Sequence, residues 1–181
     1  VHDFGVPWKH HAWELTLHPA GHIPGAAMLH IKTPETTVLL TGDFDTRDSS
    51  LVSGAKPVQA DILFVEGTYG GRDHPPKEEE IQRFIEAVES VVRRGGTVLI
   101  PAFANGRTQD VVMLLHQHLP HLNVHVDGMG KRVAKTHLNN PSLLRDASAL
   151  ERAWRWAKQV SGKSDRNTAL AADVIDSTSG M

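Results

Sequence analysis

The stretch HPAGHIPGAAMLHIKTPETTVLLTGDFD, from His18 to Asp45, holds three histidines and two aspartates, with a Gly-Asp directly after an apolar run. Just upstream, Trp13, Leu15 and Leu17 alternate with other residues, as a half-buried strand does. AMLHIKT repeats that behaviour, PETT turns the chain, and TVLLTGDFD is an apolar strand that ends in Gly-Asp. Two readings of His22 and Asp43 follow: metal ligands, or ordinary loop residues beside two strands.

Outward from this stretch the pattern continues. ADILFVEGTYG repeats the design, with an apolar run over Ile62–Val65 and Glu66 at its C-terminal end. A helix is predicted over Lys77–Arg94. It opens after Pro75-Pro76, carries Glu78, Glu79 and Glu80 in its first turn, and ends in Arg93, Arg94 and Gly95-Gly96. TVLIPAF then reads as a buried strand and RTQDVVMLLHQHL as a helix with Val111, Val112, Leu114 and Leu115 on its apolar side. NVHVDGM is a short strand, GKRVAKTHL a helix, and LRDASALERAWRWAKQV a helix with Leu150, Ala153, Trp154 and Ala157 at helical spacing. AADVIDSTSGM is a last strand running into a Ser/Gly turn. Strands alternate with helices from Asp61 onward, which predicts an α/β class with a mostly parallel layer.

Composition narrows the function classes. Of 181 residues, 40% are hydrophobic and 22% charged, the profile of a protein with a real core. No stretch is long and apolar enough to span a bilayer, so no membrane partner is expected. The absence of cysteine excludes disulfides and Cys-based zinc sites, and a reducing, cytoplasmic setting fits. The formal charge of -2 means that nucleic-acid binding needs a local patch. The chain opens without Met and closes on STSGM directly after a strand, which reads as a segment of a longer protein.

Asp43, Glu66 and Asp127 each follow an apolar strand, and ligand sites collect at the C-terminal edge of strands in α/β sheets. His22 lies in AGHIPGA, where Gly21 and Gly25 allow tight turns and close approach to a ligand. A histidine nitrogen and a carboxylate that can bridge two metals are natural parts of a zinc site, but a catalytic zinc takes three protein ligands. Spacing alone therefore leaves both readings open.

HPAGHIPGAAM, LLTGDFD, VEGTYGGRDHP and GGTVLIPAFANGRTQDVVMLL, in that order, resemble the β-CASP branch of the metallo-β-lactamase superfamily. VDGMGKRV and STSGM look like later motifs of the same group. That branch contains the RNA-cleaving subunit of the mRNA 3′-end processing machinery and its archaeal and bacterial nuclease relatives. The resemblance implies the second half of a metallo-β-lactamase αββα sandwich over residues 1–69. A β-CASP domain over 70–181, a mostly parallel sheet flanked by helices, would follow it. His22 matches the histidine that ligates one zinc, and Asp43 the aspartate that bridges two and thereby serves catalysis. Glu66 matches the acidic residue of the first β-CASP motif, which orients a catalytic histidine. The implied nucleophile is water or hydroxide held between two zincs and directed at an RNA phosphodiester. Arg107, beside Phe103, could hold the RNA backbone, and the turn at Ser179 and Gly180 could offer backbone N–H groups to a phosphate.

The chain departs from the family in lacking the upstream His-x-His-x-Asp-His string and the two later histidine motifs. The implied zinc ligand set is incomplete here, so the chain by itself is expected to be inactive. His18 and His30 read as bystanders, and Arg107 stays open between a phosphate contact and a salt bridge. Trp154 and Trp156 cannot share one helix face. Two rivals remain beside an RNA-cleaving zinc hydrolase: a non-catalytic β-CASP subunit of a processing complex, and another metallo-β-lactamase hydrolase. Partners in prospect are single-stranded RNA, a second copy, or processing-complex subunits.

Overall fold

A computed structural model of the chain describes residues 2–160 and, by backbone alone, 174–178. The chain divides into two compact units, Val1–Arg72 and Asp73–Met181. Among the described residues no helix is long and apolar enough to cross a membrane.

The first unit is a five-stranded sheet in sequence order: β1 (Trp8–His10), β2 (Trp13–Pro19), β3 (Ala27–Lys32), β4 (Thr37–Leu40) and β5 (Ile62–Phe64). The first three pairings are antiparallel, and β5 joins β4 in parallel. The PETT turn closes because Thr33 bonds Thr36 three times: its hydroxyl accepts the Thr36 N–H (3.0 Å) and donates to the Thr36 carbonyl (2.9 Å), to which its own N–H also donates (2.9 Å). Asp61 then sets the register of β5. Its Oδ2 accepts from the backbone N–H and the hydroxyl of Thr37, both at 2.8 Å, which locks the two strand starts side by side.

The cross-strand pairing sorts the side chains of this sheet. Trp8, Leu15, Ile31, Val38 and Ile62 form one row across all five strands, and Leu17, Leu29, Leu40 and Phe64 form the next row on the same face. All nine are apolar and none is fully buried; Phe64 is 60% exposed. The opposite face holds Met28 and Leu39, which are buried with Ala20 and Ala55, and Phe44, Val58 and Ala60 pack against them. The segment after β4 thus covers one face of the sheet, and the apolar face is only partly covered among the described residues.

The second unit carries an all-parallel sheet in the order β6 (Val98–Pro101), β9 (Val174–Thr178), β7 (Val124–Gly128), β8 (Lys158–Gln159). Four helices accompany it: α1 (Lys77–Arg93), α2 (Arg107–His118), α3 (Gly130–Leu138) and α4 (Ala147–Trp156). The expected acidic start of α1 is present at Glu78–Glu80, and Asp146 caps α4 by accepting the Ala149 N–H at 2.8 Å. Val112, Leu115, Val124, Val126, Ala134 and Leu150 are buried in this unit.

One expectation changes. TVLIPAF is a strand but not a buried one: Leu99 is 64% exposed, because only the Val98 and Ile100 side of β6 is partly covered among the described residues. The apolar run Ile62–Val65 is exposed on both faces, since β5 is the edge of its sheet. The two tryptophans separate as the helical period requires. Trp154 is buried, while Trp156 lies at the rim and donates its Nε1–H to the Pro120 carbonyl (3.0 Å).

Candidate functional site

The first unit brings together three of the residues singled out in the sequence. His22 lies in the loop between β2 and β3, Asp43 three residues past β4, and Glu66 two residues past β5. Backbone bonds tie these segments to one another. The Asp45 N–H donates to the Ala20 carbonyl (3.0 Å), and the Ala55 N–H donates to the Asp45 carbonyl (2.8 Å). Gly21 makes this approach possible. Its φ is +71°, and a Cβ there would stand 2.2 Å from the Asp45 oxygen and 2.4 Å from the Ala55 nitrogen. His22 is thereby held beside the turn that carries Asp43.

Glu66 fastens the same turn from the other side. The Phe44 N–H donates to its Oε1 (3.3 Å) and the Thr68 N–H to its Oε2 (3.2 Å). Its own N–H donates to the Thr41 hydroxyl (3.3 Å), and the Thr41 N–H donates to the Phe64 carbonyl (3.0 Å). The Glu66 carboxyl lies below the usual carboxylate range, held there first by the Thr68 hydroxyl, then by the Phe44 and Thr68 amides and the neighbouring His22. Both carboxylate oxygens of Glu66 already accept from backbone, which suits a group that shapes the turn better than one that ligates. Thr41 was not singled out in the sequence, since a buried strand-end threonine has no pattern of its own.

Asp43 and His22 are the reverse case. Both are exposed, and neither side chain is hydrogen-bonded within the described residues. A free imidazole and a free carboxylate at one strand edge fit the donor chemistry of zinc. Among the described residues, no three His, Asp or Glu side chains come together as a metal-holding group. The pair fits part of a ligand set and not a closed one.

In the second unit, the loop from β6 to α2 and the loop from β7 to α3 meet around Gln109, which is fully buried. Its Oε1 accepts from the Gly106 N–H (2.9 Å), and its Nε2 donates to the carbonyls of Ala104 (3.0 Å) and Gly130 (3.1 Å). Gly130 needs to be glycine, because a Cβ there would stand 2.7 Å from Thr108 Cγ2. Arg107 is the first residue of α2, exposed and without a side-chain partner among the described residues. The salt-bridge alternative for it is not seen there. Lys131 is otherwise engaged, 3.7 Å from Asp127 and bonded to the Val160 carbonyl. Ser179 and Gly180 lie outside the described residues. The strand before them, β9, runs between β6 and β7, with Ser177 level with Pro101 and Asp127.

No family model matches the chain. It is similar to "Probable RNase MJ4" of Methanocaldococcus jannaschii, 34% identical over 96% of this chain and 42% of that protein. It is similar to "Ribonuclease TTHA0252" of Thermus thermophilus, 34% identical over 79% of this chain and 34% of that protein. "Cleavage and polyadenylation specificity factor subunit 3" of Dictyostelium discoideum is 39% identical over 61% of this chain and 14% of that protein. The chain spans less than half the length of the curated relatives it matches. With four sequence motifs in order and this set of relatives, the chain belongs to the β-CASP branch of the metallo-β-lactamase superfamily.

Proposed function

We propose that this chain forms one side of a zinc-dependent centre that hydrolyses RNA phosphodiester bonds, the other ligands coming from polypeptide beyond these 181 residues. The observation that carries this reading is the fastening of the His22 loop to the Asp43 turn, with both side chains left free. Two of the relatives above are named as ribonucleases, one of them as a probable one.

His22 and Asp43 would hold zinc, Asp43 with an oxygen for each of two ions. Zinc, when bound, polarises a phosphoryl oxygen and acidifies water. Glu66 keeps the Asp43 turn in place beside His22. Arg107 would hold the RNA backbone, and the turn at Ser179 and Gly180 would meet a phosphate.

The open apolar face of the first sheet supports an incomplete αββα sandwich. Nine in-register apolar side chains are what a second layer would cover, as facing sheets pack. We place the working protein in the cytoplasm, on single-stranded RNA, as a homodimer or a processing-complex subunit.

The test is zinc binding and cleavage with and without the remaining ligands. By equilibrium dialysis the 181-residue chain should bind zinc weakly, and Asp43→Ala should remove that binding while the melting curve stays put. In a polypeptide that supplies the other ligands, Asp43→Ala should abolish zinc-dependent RNA cleavage. Two tight zincs on this chain alone, or full cleavage by Asp43→Ala, would overturn the reading. A complete polypeptide that binds RNA without cleaving it would point instead to a non-catalytic subunit.

A further inference from the structure

The loop Phe103–Gly106 is pinned at every residue. The Phe103 carbonyl accepts both the Thr108 N–H (3.1 Å) and the Thr108 hydroxyl (2.9 Å). The Ala104 carbonyl accepts from Gln109 (3.0 Å), Asn105 Oδ1 pairs with His137 Nε2 (3.1 Å), and the Gly106 N–H donates to Gln109 (2.9 Å). Yet the Phe103 side chain is 76% exposed, the most exposed large hydrophobic residue of the described chain. A rigid backbone that holds a benzyl group in water gains no stability from it.

Arg107 is equally unexplained by folding. It is the first residue of α2, where the helix dipole disfavours a cation, and its guanidinium has no partner among the described residues. The Thr108 bonds hold the Phe103 backbone against the same first turn that carries Arg107. An aromatic face and a free guanidinium, four residues apart on one clamped segment, match the two parts of a nucleotide.

We infer that Phe103 and Arg107 form a nucleotide clamp for single-stranded RNA, the Phe103 ring stacking on a base and Arg107 pairing with a phosphate. This rests on the RNA reading above and adds a specific contact to it. Stacking on an aromatic ring tolerates any base, so the clamp would grip the strand without selecting its sequence. Because the loop is already ordered, little further entropy is lost when the strand binds. Gln109 acts as the positioning residue, since it bonds both flanks of the loop.

The experiment uses the 181-residue chain and a single-stranded RNA decamer carrying 2-aminopurine, read by fluorescence quenching and by anisotropy at several salt concentrations. The wild type should bind and quench. Phe103→Leu should weaken binding about tenfold and remove the quenching, and Phe103→Trp should restore both. Arg107→Gln should weaken binding and flatten the salt dependence by about one phosphate contact, a slope change of roughly 0.7 on single strands. Binding and quenching unchanged in Phe103→Leu would overturn the clamp and leave the RNA reading standing. A wild-type chain that does not bind the decamer would overturn the clamp, while the RNA reading is decided separately by cleavage in the polypeptide that supplies the other ligands. Both side chains are exposed, and unchanged melting curves would show that the variants fold.

Discussion

The carboxylate of Glu66 accepts the backbone N–H of Phe44 at 3.3 Å across the parallel pair β4 and β5, so the residue after Asp43 is held by a side chain from the neighbouring strand. Asp61 makes this meeting possible at the other end of β5 by fixing its register on Thr37. One carboxylate aligns the strands, and a second uses that alignment to shape the turn beside the candidate ligands.

Removing that contact should loosen the turn before it unfolds the unit. In Glu66→Ala the amides of Phe44 and Thr68 lose their acceptor, and hydrogen exchange at Phe44 should accelerate by about tenfold, the effect of one lost charge-assisted bond. Zinc affinity should fall with it. Exchange at Phe44 equal to wild type would show that the carboxylate does not hold the turn.

Gly21→Ala should be far more damaging than its size suggests. The new Cβ would meet backbone atoms on two sides at under 2.5 Å, at a φ of +71° that alanine rarely adopts. A loss of about 3 kcal/mol is expected, in the range of strained-backbone substitutions. Urea unfolding measures it, and a midpoint within error of wild type would contradict the close approach.

The second unit should lose stability as pH falls below neutrality. Burial depresses the pKa of His137, and burial with a smaller push from Lys158 depresses that of His125. The Nε2 of His137 donates to Asn105, and its Nδ1 is buried without a partner among the described residues, so a second proton has nothing to bond. The unfolded chain takes up these protons near an ordinary histidine pKa of about 6.5, while the folded chain resists them. Stability is therefore full above that value and declines as pH drops toward the folded pKa values. Urea midpoints should fall between pH 7.5 and pH 5.5. In His137→Gln the fall should be shallower; an unchanged slope would assign the effect elsewhere.

The open face of the first sheet should make the chain self-associate. Fully burying one such side chain is worth about 1.5–3 kcal/mol, and in the two rows Leu40, Ile62 and Phe64 are exposed and the other six only partly covered. Sedimentation velocity should show concentration-dependent association at tens of micromolar. Leu40→Lys with Phe64→Glu should abolish it without lowering the melting temperature, since both residues are exposed. A monodisperse wild type at all concentrations would remove the argument for a missing layer.

Local patterns were legible because they are set by periodicity and end chemistry. The acidic start and basic end of α1 frame that helix, and the order of strands and helices after α1 gives the parallel sheet of the second unit, while the strand directly after Asp61 joins the first sheet instead. The motifs in order were enough to indicate the family. Strand exposure was not legible. Leu99 looks buried in a one-dimensional apolar run, but whether a layer covers it depends on segments far away in sequence.

The sequence by itself determined which residue types stand at each strand end, and so named His22, Asp43, Glu66 and Arg107. It could not distinguish their duties. Tertiary structure alone made Glu66 an acceptor for the turn and left Asp43 and His22 free. It also brought Gln109 between two loops and left Phe103 in water on a fixed backbone. The reason is physical. Residue type fixes what a side chain can donate or accept, but only the packing of distant segments decides which of those capacities is used within the fold and which remains for a ligand.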